Sequence, residues 1–167
     1  MRTSFIVFPT ASEAVPENDY TRSPFYRTLN GEWAFLRAER PGAEPEGFFR
    51  TGYDDSSWGV MPVPGIWELN GHGDPVYTNK PYPWYKFFEV KPPLVPHEQN
   101  YTGLYRRTVR VPADWKGRDA FIHIGSATSN VTLWVNGREV GYSEDSKLEA
   151  EFDVTRYITP GRDNLIV

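Results

Sequence analysis

The stretch VTLWVNGREVGY, residues 131–142, constrains the fold of this chain more than any other. At its centre, Asn136-Gly137 is the preferred pair for a type I′ hairpin turn, because both positions need positive φ. Apolar and polar residues alternate on either side of the turn, the period-2 pattern of paired antiparallel strands. A two-residue turn with simple register sets Leu133 opposite Val140 and Val131 opposite Tyr142. Both strands then offer an apolar face to one core.

Other segments repeat the pattern. In LNGEWAFL (29–36) Trp33 and Phe35 alternate with Glu32 and Ala34. A short apolar piece runs from Val60 to Val63 in an otherwise irregular stretch, 53–75. In GLYRRTVRVP (103–112) Tyr105, Arg107, Val109 and Val111 share one face, and Leu104, Arg106, Thr108 and Arg110 the other. DAFIHIG (119–125), EAEFDVT (149–155) and NLIV (164–167) complete the set. RPGAEPEG (40–47) is a turn by composition, and 76–102 reads as a long loop whose KPPLVPHEQN part has too many prolines for a helix or strand. Twenty-six aromatic residues (six Trp, ten Tyr, ten Phe) with fifteen Pro and fourteen Gly suit short strands joined by rigid turns. The expected fold is therefore all-β: an antiparallel two-sheet sandwich of the jelly-roll, galactose-binding-domain-like type. An immunoglobulin-like sandwich is the alternative, without its cysteine pair. Residues 1–22 read as an arm and 23–167 as one domain. The chain stops at GRDNLIV, inside an apolar run. That suggests a fragment of a longer protein, with the sandwich incomplete at its C-terminus.

Several chemistries find no residues here. The formal net charge is -4 with no basic block, so nucleic acid is not an expected partner. No apolar stretch approaches membrane-spanning length, and FIVF near the start is too brief for a signal-peptide core. A chain with no cysteine has no disulfide, thiolate metal site or cysteine nucleophile. There is no phosphate-cradling glycine loop, GxSxG or HExxH. His72, His97 and His123 lie far apart and give no metal-ligand spacing; His123, alternating with isoleucines, is expected to be a packed strand residue. Asp54/Asp55 and Glu144/Asp145 are adjacent pairs. Neighbours on an extended chain point to opposite sides, so neither pair can grip a glycosidic bond from both faces, and turn or cap roles are expected. Asn100 and Asn130 begin glycosylation sequons, a match that also arises by chance. No catalytic residue and no metal ligand is expected within the chain.

What remains is a recognition loop. YTNKPYPW (77–84) holds one carboxamide, Asn79, among Tyr77, Tyr82 and Trp84, stiffened by two prolines. An amide both donates and accepts hydrogen bonds, and aromatic faces cover the apolar C–H side of a sugar ring. Aromatic residues are more often simply buried, so by themselves these residues leave packing as the commoner reading.

The order of motifs changes that balance. SPFYRTLNGEWAF (23–35), VPGIWELNGHGDPVYTN (63–79), PPLVPHEQNYTGLYRRTVRVPADWKG (92–117) and LWVNGREVGYSEDSKLEAEFD (133–153) occur in succession. From about residue 23 to its last residue the chain resembles the N-terminal jelly-roll domain of bacterial β-galactosidases in glycoside hydrolase family two. LNGEW and WVNGxxVGY mark the family, which also holds glucuronidases and mannosidases; YTNxxYP followed by PPLVP is more specific to galactosidases. The resemblance implies a parent enzyme that hydrolyses terminal non-reducing β-D-galactose residues by a retaining mechanism, with two glutamates in a downstream barrel. It implies a non-catalytic role for this domain, with Asn79 binding galactosyl hydroxyls and Tyr77, Tyr82 and Trp84 shaping its loop. It also implies Mg2+ and Na+ in the parent but none held by this fragment. Glu144 falls where some relatives place a peripheral magnesium ligand, although a surface Glu beside Asp145 needs no metal. The implied partners are a β-galactoside, reached through the barrel domain, and further copies of the parent as a homo-oligomer. The sequence does not fix the compartment, cytoplasm or periplasm of a bacterium. Rival readings are a stand-alone carbohydrate-binding module, an interaction domain whose 76–102 loop packs on a neighbouring subunit, and the same domain of a β-glucuronidase or mannosidase.

Overall fold

The computed structural model describes residues 5–14, 19–73, 91, 93–98 and 100–167. The chain divides into two compact units, residues 1–31 and 32–167. In the first, a single helical turn α1 (Ala11–Ala14) is followed by a 3-10 turn at Tyr20–Arg22. Asp19 caps that turn by accepting the Thr21 backbone N–H at 3.1 Å. The buried Ser23 hydroxyl donates to the Val7 carbonyl and accepts from the Phe25 N–H, which ties two short pieces together without a helix or sheet.

The second unit is built on strands β1 (Gly31–Ala38), β2 (Gly59–Val63), β3 (Thr102–Arg110), β4 (Phe121–Ile124), β5 (Asn130–Val135), β6 (Arg138–Glu144), β7 (Ala150–Asp153) and β8 (Asp163–Ile166). Six form one sheet in the order β2-β1-β3-β8-β5-β6, and β4 pairs with β7 in a second. The pairings β1–β3, β3–β8, β4–β7, β5–β6 and β5–β8 are antiparallel. The architecture is the expected all-β sandwich.

Period-2 alternation selects most of the core; β8, buried at three successive residues, is the exception. Trp33 and Phe35 of β1, Leu104 of β3, Leu133 and Val135 of β5, and Leu165 and Ile166 of β8 are buried, with Met61 of β2 fully so. Ile122 and Phe152 supply the inner face of the small sheet. The sheets meet closely where Gly141 of β6 faces Phe152 of β7. A Cβ on that glycine would lie 3.4 Å from the phenyl ring.

Three expectations need correction. The 131–142 hairpin has its predicted turn, with φ of 53° at Asn136 and 79° at Gly137, closed by the pair Val135↔Arg138. Its register then slips: Trp134 pairs with Glu139 but Leu133 with Gly141, which leaves Val140 as the extra residue of a β-bulge. Leu133 therefore faces Gly141 rather than Val140, and Val131 faces Ser143 rather than Tyr142. Tyr142 is 54% exposed on the outer strand of the sheet, not part of the core. His123 is also exposed: β4 turns Ile122 inward, and the imidazole lies 3.9 Å from Glu149.

Candidate functional site

The four residues singled out from the sequence, Asn79 with Tyr77, Tyr82 and Trp84, lie outside the described residues. Of the candidate carboxylates, Asp54, Asp55 and Glu144 each have a partner in the fold. Asp54 accepts the Ser56 backbone N–H at 3.0 Å, a bond that, with the Ser56 side chain, lowers its pKa from the usual carboxylate value. Glu144 accepts the Tyr142 hydroxyl at 2.8 Å and thereby raises the pKa of that phenol. Asp55 binds an arginine, as set out below. Among the described residues no three His, Asp or Glu side chains come together as a metal site would require.

The structure does show what flanks residues 74–100. On the entry side, residues 66–72 form a tight turn. The Asn70 side chain donates to the Ile66 carbonyl at 2.8 Å, the backbone N–H groups of Asn70 and His72 both reach the Trp67 carbonyl at 2.9 Å, and Gly71 takes φ of 81°. This turn sets Trp67 against β3 and β1. Its indole N–H donates to the Tyr105 hydroxyl at 2.6 Å, and its ring lies 5.7 Å from Phe35. His72 packs on the same phenyl ring at 4.6 Å, Tyr105 at 4.9 Å edge-on, and Tyr105 reaches Trp33 at 6.4 Å. The indole covers Gly103 so closely that a Cβ there would run into it and would come within 3.1 Å of Phe35. Burial raises the Tyr105 pKa, and the bond from Trp67 only partly offsets this, so the phenol stays neutral.

A second tie lies alongside. The Arg37 guanidinium sits 4.2 Å from the centre of the Tyr101 ring and is held by Glu39 at 2.9 Å. Its other edge lies against Gly73, where a Cβ would come 3.3 Å from Nη1 and where φ is 95°. Residues 67–73 and 101–105 are thus joined at two levels. Sequence patterning gave no hint of either tie, since each depends on partners brought together by β1.

Arg106 is the second feature that patterning missed. Its side chain, 3% exposed, donates to Asp55 at 2.7 Å and to the carbonyls of Phe48, Arg50 and Tyr53, with the Tyr53 and Trp58 rings nearby. The loop 46–53 so anchored packs Phe49 flat on Trp134, at 5.8 Å and 16°. Between this loop and the Asn136-Gly137 turn opens a depression of about 620 Å3, rimmed by Glu46, Arg50 and Tyr53. The one side-chain amide that lines it, Asn136, is already engaged. The Asn136 side chain donates to the Tyr157 carbonyl and the Asn164 oxygen, and accepts from the Leu165 N–H, all at 2.8–2.9 Å. Asn164, fully buried, spends both amide hydrogens on Thr159 and Arg162 and accepts from Thr159 N–H as well. These amides pin the hairpin turn to β8.

Comparison with known proteins assigns this scaffold. The family model for the sugar binding domain of glycosyl hydrolases family 2 matches residues 26–167. A β-galactosidase of Priestia megaterium is 38% identical over 160 residues, 96% of this chain and 15% of its own. A β-galactosidase of Pectobacterium atrosepticum is 46% identical over 143 residues, 84% of this chain and 13% of its own. The chain thus spans about one-seventh of the length of these relatives. A calcium-binding mutant of Bacteroides uniformis β-glucuronidase 2 superposes with a TM-score of 0.59 over 84% of this chain and 14% of that one, at 23% identity. That last likeness is one of fold.

Proposed function

The chain belongs to the sugar-binding domain family of the family 2 glycosyl hydrolases, and from that membership we propose that it is the N-terminal, non-catalytic domain of a β-galactosidase. The observation that carries this reading is the 46% identity over 143 residues with a relative of that name. The parent would hydrolyse terminal non-reducing β-D-galactose residues with retention, using two glutamates of a downstream barrel domain as acid/base and nucleophile. Mg2+ and Na+ would belong to that parent, which would assemble as a homo-oligomer.

This chain's own contribution would be one amide. Asn79 can donate and accept toward adjacent sugar hydroxyls, and the prolines and rings of 77–84 reduce the freedom it must lose on binding. Tyr77, Tyr82 and Trp84 shape that loop. In the full-length protein, Asn79→Ala should lower kcat/KM for an aryl β-D-galactoside about 5- to 150-fold, the roughly 1–3 kcal/mol of a lost buried hydrogen bond. Unchanged kinetics would remove Asn79 from the pocket. Faster turnover of an aryl β-D-glucuronide than of the galactoside would assign the parent to the β-glucuronidases, whose fold this chain shares.

A further inference from the structure

The depression between loop 46–53 and the Asn136-Gly137 turn has two braced walls and a rim of unspent polar groups. Arg106 holds the loop from beneath through the carbonyls of Phe48, Arg50 and Tyr53. The loop also closes on itself, the Arg50 N–H donating to the Gly47 carbonyl at 2.8 Å and the Tyr53 N–H to the Arg50 carbonyl at 3.2 Å. Asn136 fixes the opposite wall by its bonds to Tyr157, Asn164 and Leu165. The walls approach at Gly137, where a Cβ would lie 3.8 Å from the Thr51 nitrogen. The stem of Arg50 lies over Gly47, which takes φ of 71° and whose Cβ would come 3.1 Å from Arg50 Cδ.

Among the described residues, the Arg50 guanidinium, the Glu46 carboxylate and the hydroxyls of Thr51 and Tyr53 make no ion pair or hydrogen bond within the fold. One positive and one negative charge line the depression, so it favours neither an anion nor a cation. It sets a guanidinium that only donates near a carboxylate that only accepts, with hydroxyls that do both. Two adjacent sugar hydroxyls fit that set, their oxygens accepting from Arg50 and a hydrogen going to Glu46. The half-buried Tyr53 ring adds an aromatic surface, and about 620 Å3 lies within the ordinary range of small-molecule sites. We infer that this depression is a weak binding site for a neutral oligosaccharide, gripped by Arg50 and Glu46 across a pair of adjacent hydroxyls. The inference goes beyond the function proposed above and uses no residue of 74–90, so it stands or falls without Asn79.

The test follows the backbone amide NMR shifts of the 167-residue chain as lactose is added, with sorbitol as an acyclic polyol control. The amides of Gly47, Arg50, Thr51, Gly52 and Gly137 are expected to shift along a saturating curve with a Kd of about 2–50 mM, the range open to a few hydrogen bonds in an exposed site. Arg50→Met keeps the stem over Gly47, removes the donors and should weaken lactose at least about 5-fold. Glu46→Gln keeps the shape, loses the charge and should weaken it about 3-fold. Gly52→Leu is an independent test that spares both charged groups. A Cβ at Gly52 meets nothing within 4 Å, so the leucine leaves the fold intact, crowds the depression and should weaken lactose at least about 5-fold. No saturable shift at these amides would overturn the inference, as would equal shifts with sorbitol or unchanged binding in Arg50→Met and Gly52→Leu. Tighter binding of glucuronate than of lactose would make Arg50 an anion site and overturn the neutral ligand. Shifts that follow protein concentration without sugar would give the depression to a second copy and overturn it as well.

Discussion

Arg106 shows how one side chain can organise a loop. It is a charge taken almost wholly out of water, at a cost recovered only because one carboxylate and three backbone carbonyls converge on it. Asp55 keeps 36% of its side-chain surface exposed, so losing its partner would strand it only in part; the larger loss would fall on the carbonyls of Phe48, Arg50 and Tyr53. Arg106→Met is therefore expected to destabilise the chain by about 2–4 kcal/mol, read as a lower urea midpoint. Arg106→Lys should recover little, because an ammonium cannot reproduce the planar fork that spans these acceptors. A midpoint within about 0.5 kcal/mol of wild type for either variant would show the network to be incidental. None of this was legible in the sequence. Alternation in 103–112 separates Leu104 and Arg106 from Tyr105 and Val109, but it is silent on which arginine finds acceptors some fifty residues upstream.

At the scale of elements, alternation and turn chemistry located the strands well, since each is a local property. Trp33 and Phe35 are buried as the 29–36 pattern implied, and Asn136-Gly137 turns the chain as its positive φ values require. Register was not legible, because the bulge at Val140 depends on what lies beneath β6. The slip brings Gly141 rather than Val140 opposite Leu133, just where Phe152 of the other sheet approaches. A bare position there lets the two sheets close. Gly141→Ala should be nearly neutral, within about 0.5 kcal/mol, because its Cβ would meet the ring at an ordinary 3.4 Å. Gly141→Leu adds three further carbons against Phe152 and should cost about 1–3 kcal/mol of unfolding free energy in urea. Equal stability of the two variants would mean that the sheets are not in contact at this point. His123 was misread for a related reason: a residue between two isoleucines on a strand belongs to the opposite face, and here that face is solvent.

At the scale of the whole molecule, the proposed function makes the sandwich a mount for a sugar site that another domain completes. The depression beside the Asn136-Gly137 turn is lined by one side-chain amide, Asn136, which already spends its hydrogen bonds on the fold. The residues that motifs single out for sugar contact fall between β2 and β3 in chain order and outside the described residues, and their role was legible only as a resemblance, because one amide and a few rings specify no pocket without the surfaces that enclose it. That has a thermodynamic consequence. A net 0.5–1.5 kcal/mol for each of one or two hydrogen bonds cannot offset the roughly 4–15 kcal/mol of translational and rotational freedom that a small ligand gives up. The isolated 167-residue chain, titrated calorimetrically with lactose or galactose, should therefore show no saturable binding tighter than about 1 mM, or −4.1 kcal/mol. The full-length protein should bind the same sugars, more weakly after Asn79→Ala. Saturable micromolar binding by the isolated chain would require a complete pocket within it, and the chain would then be a carbohydrate-binding module in its own right.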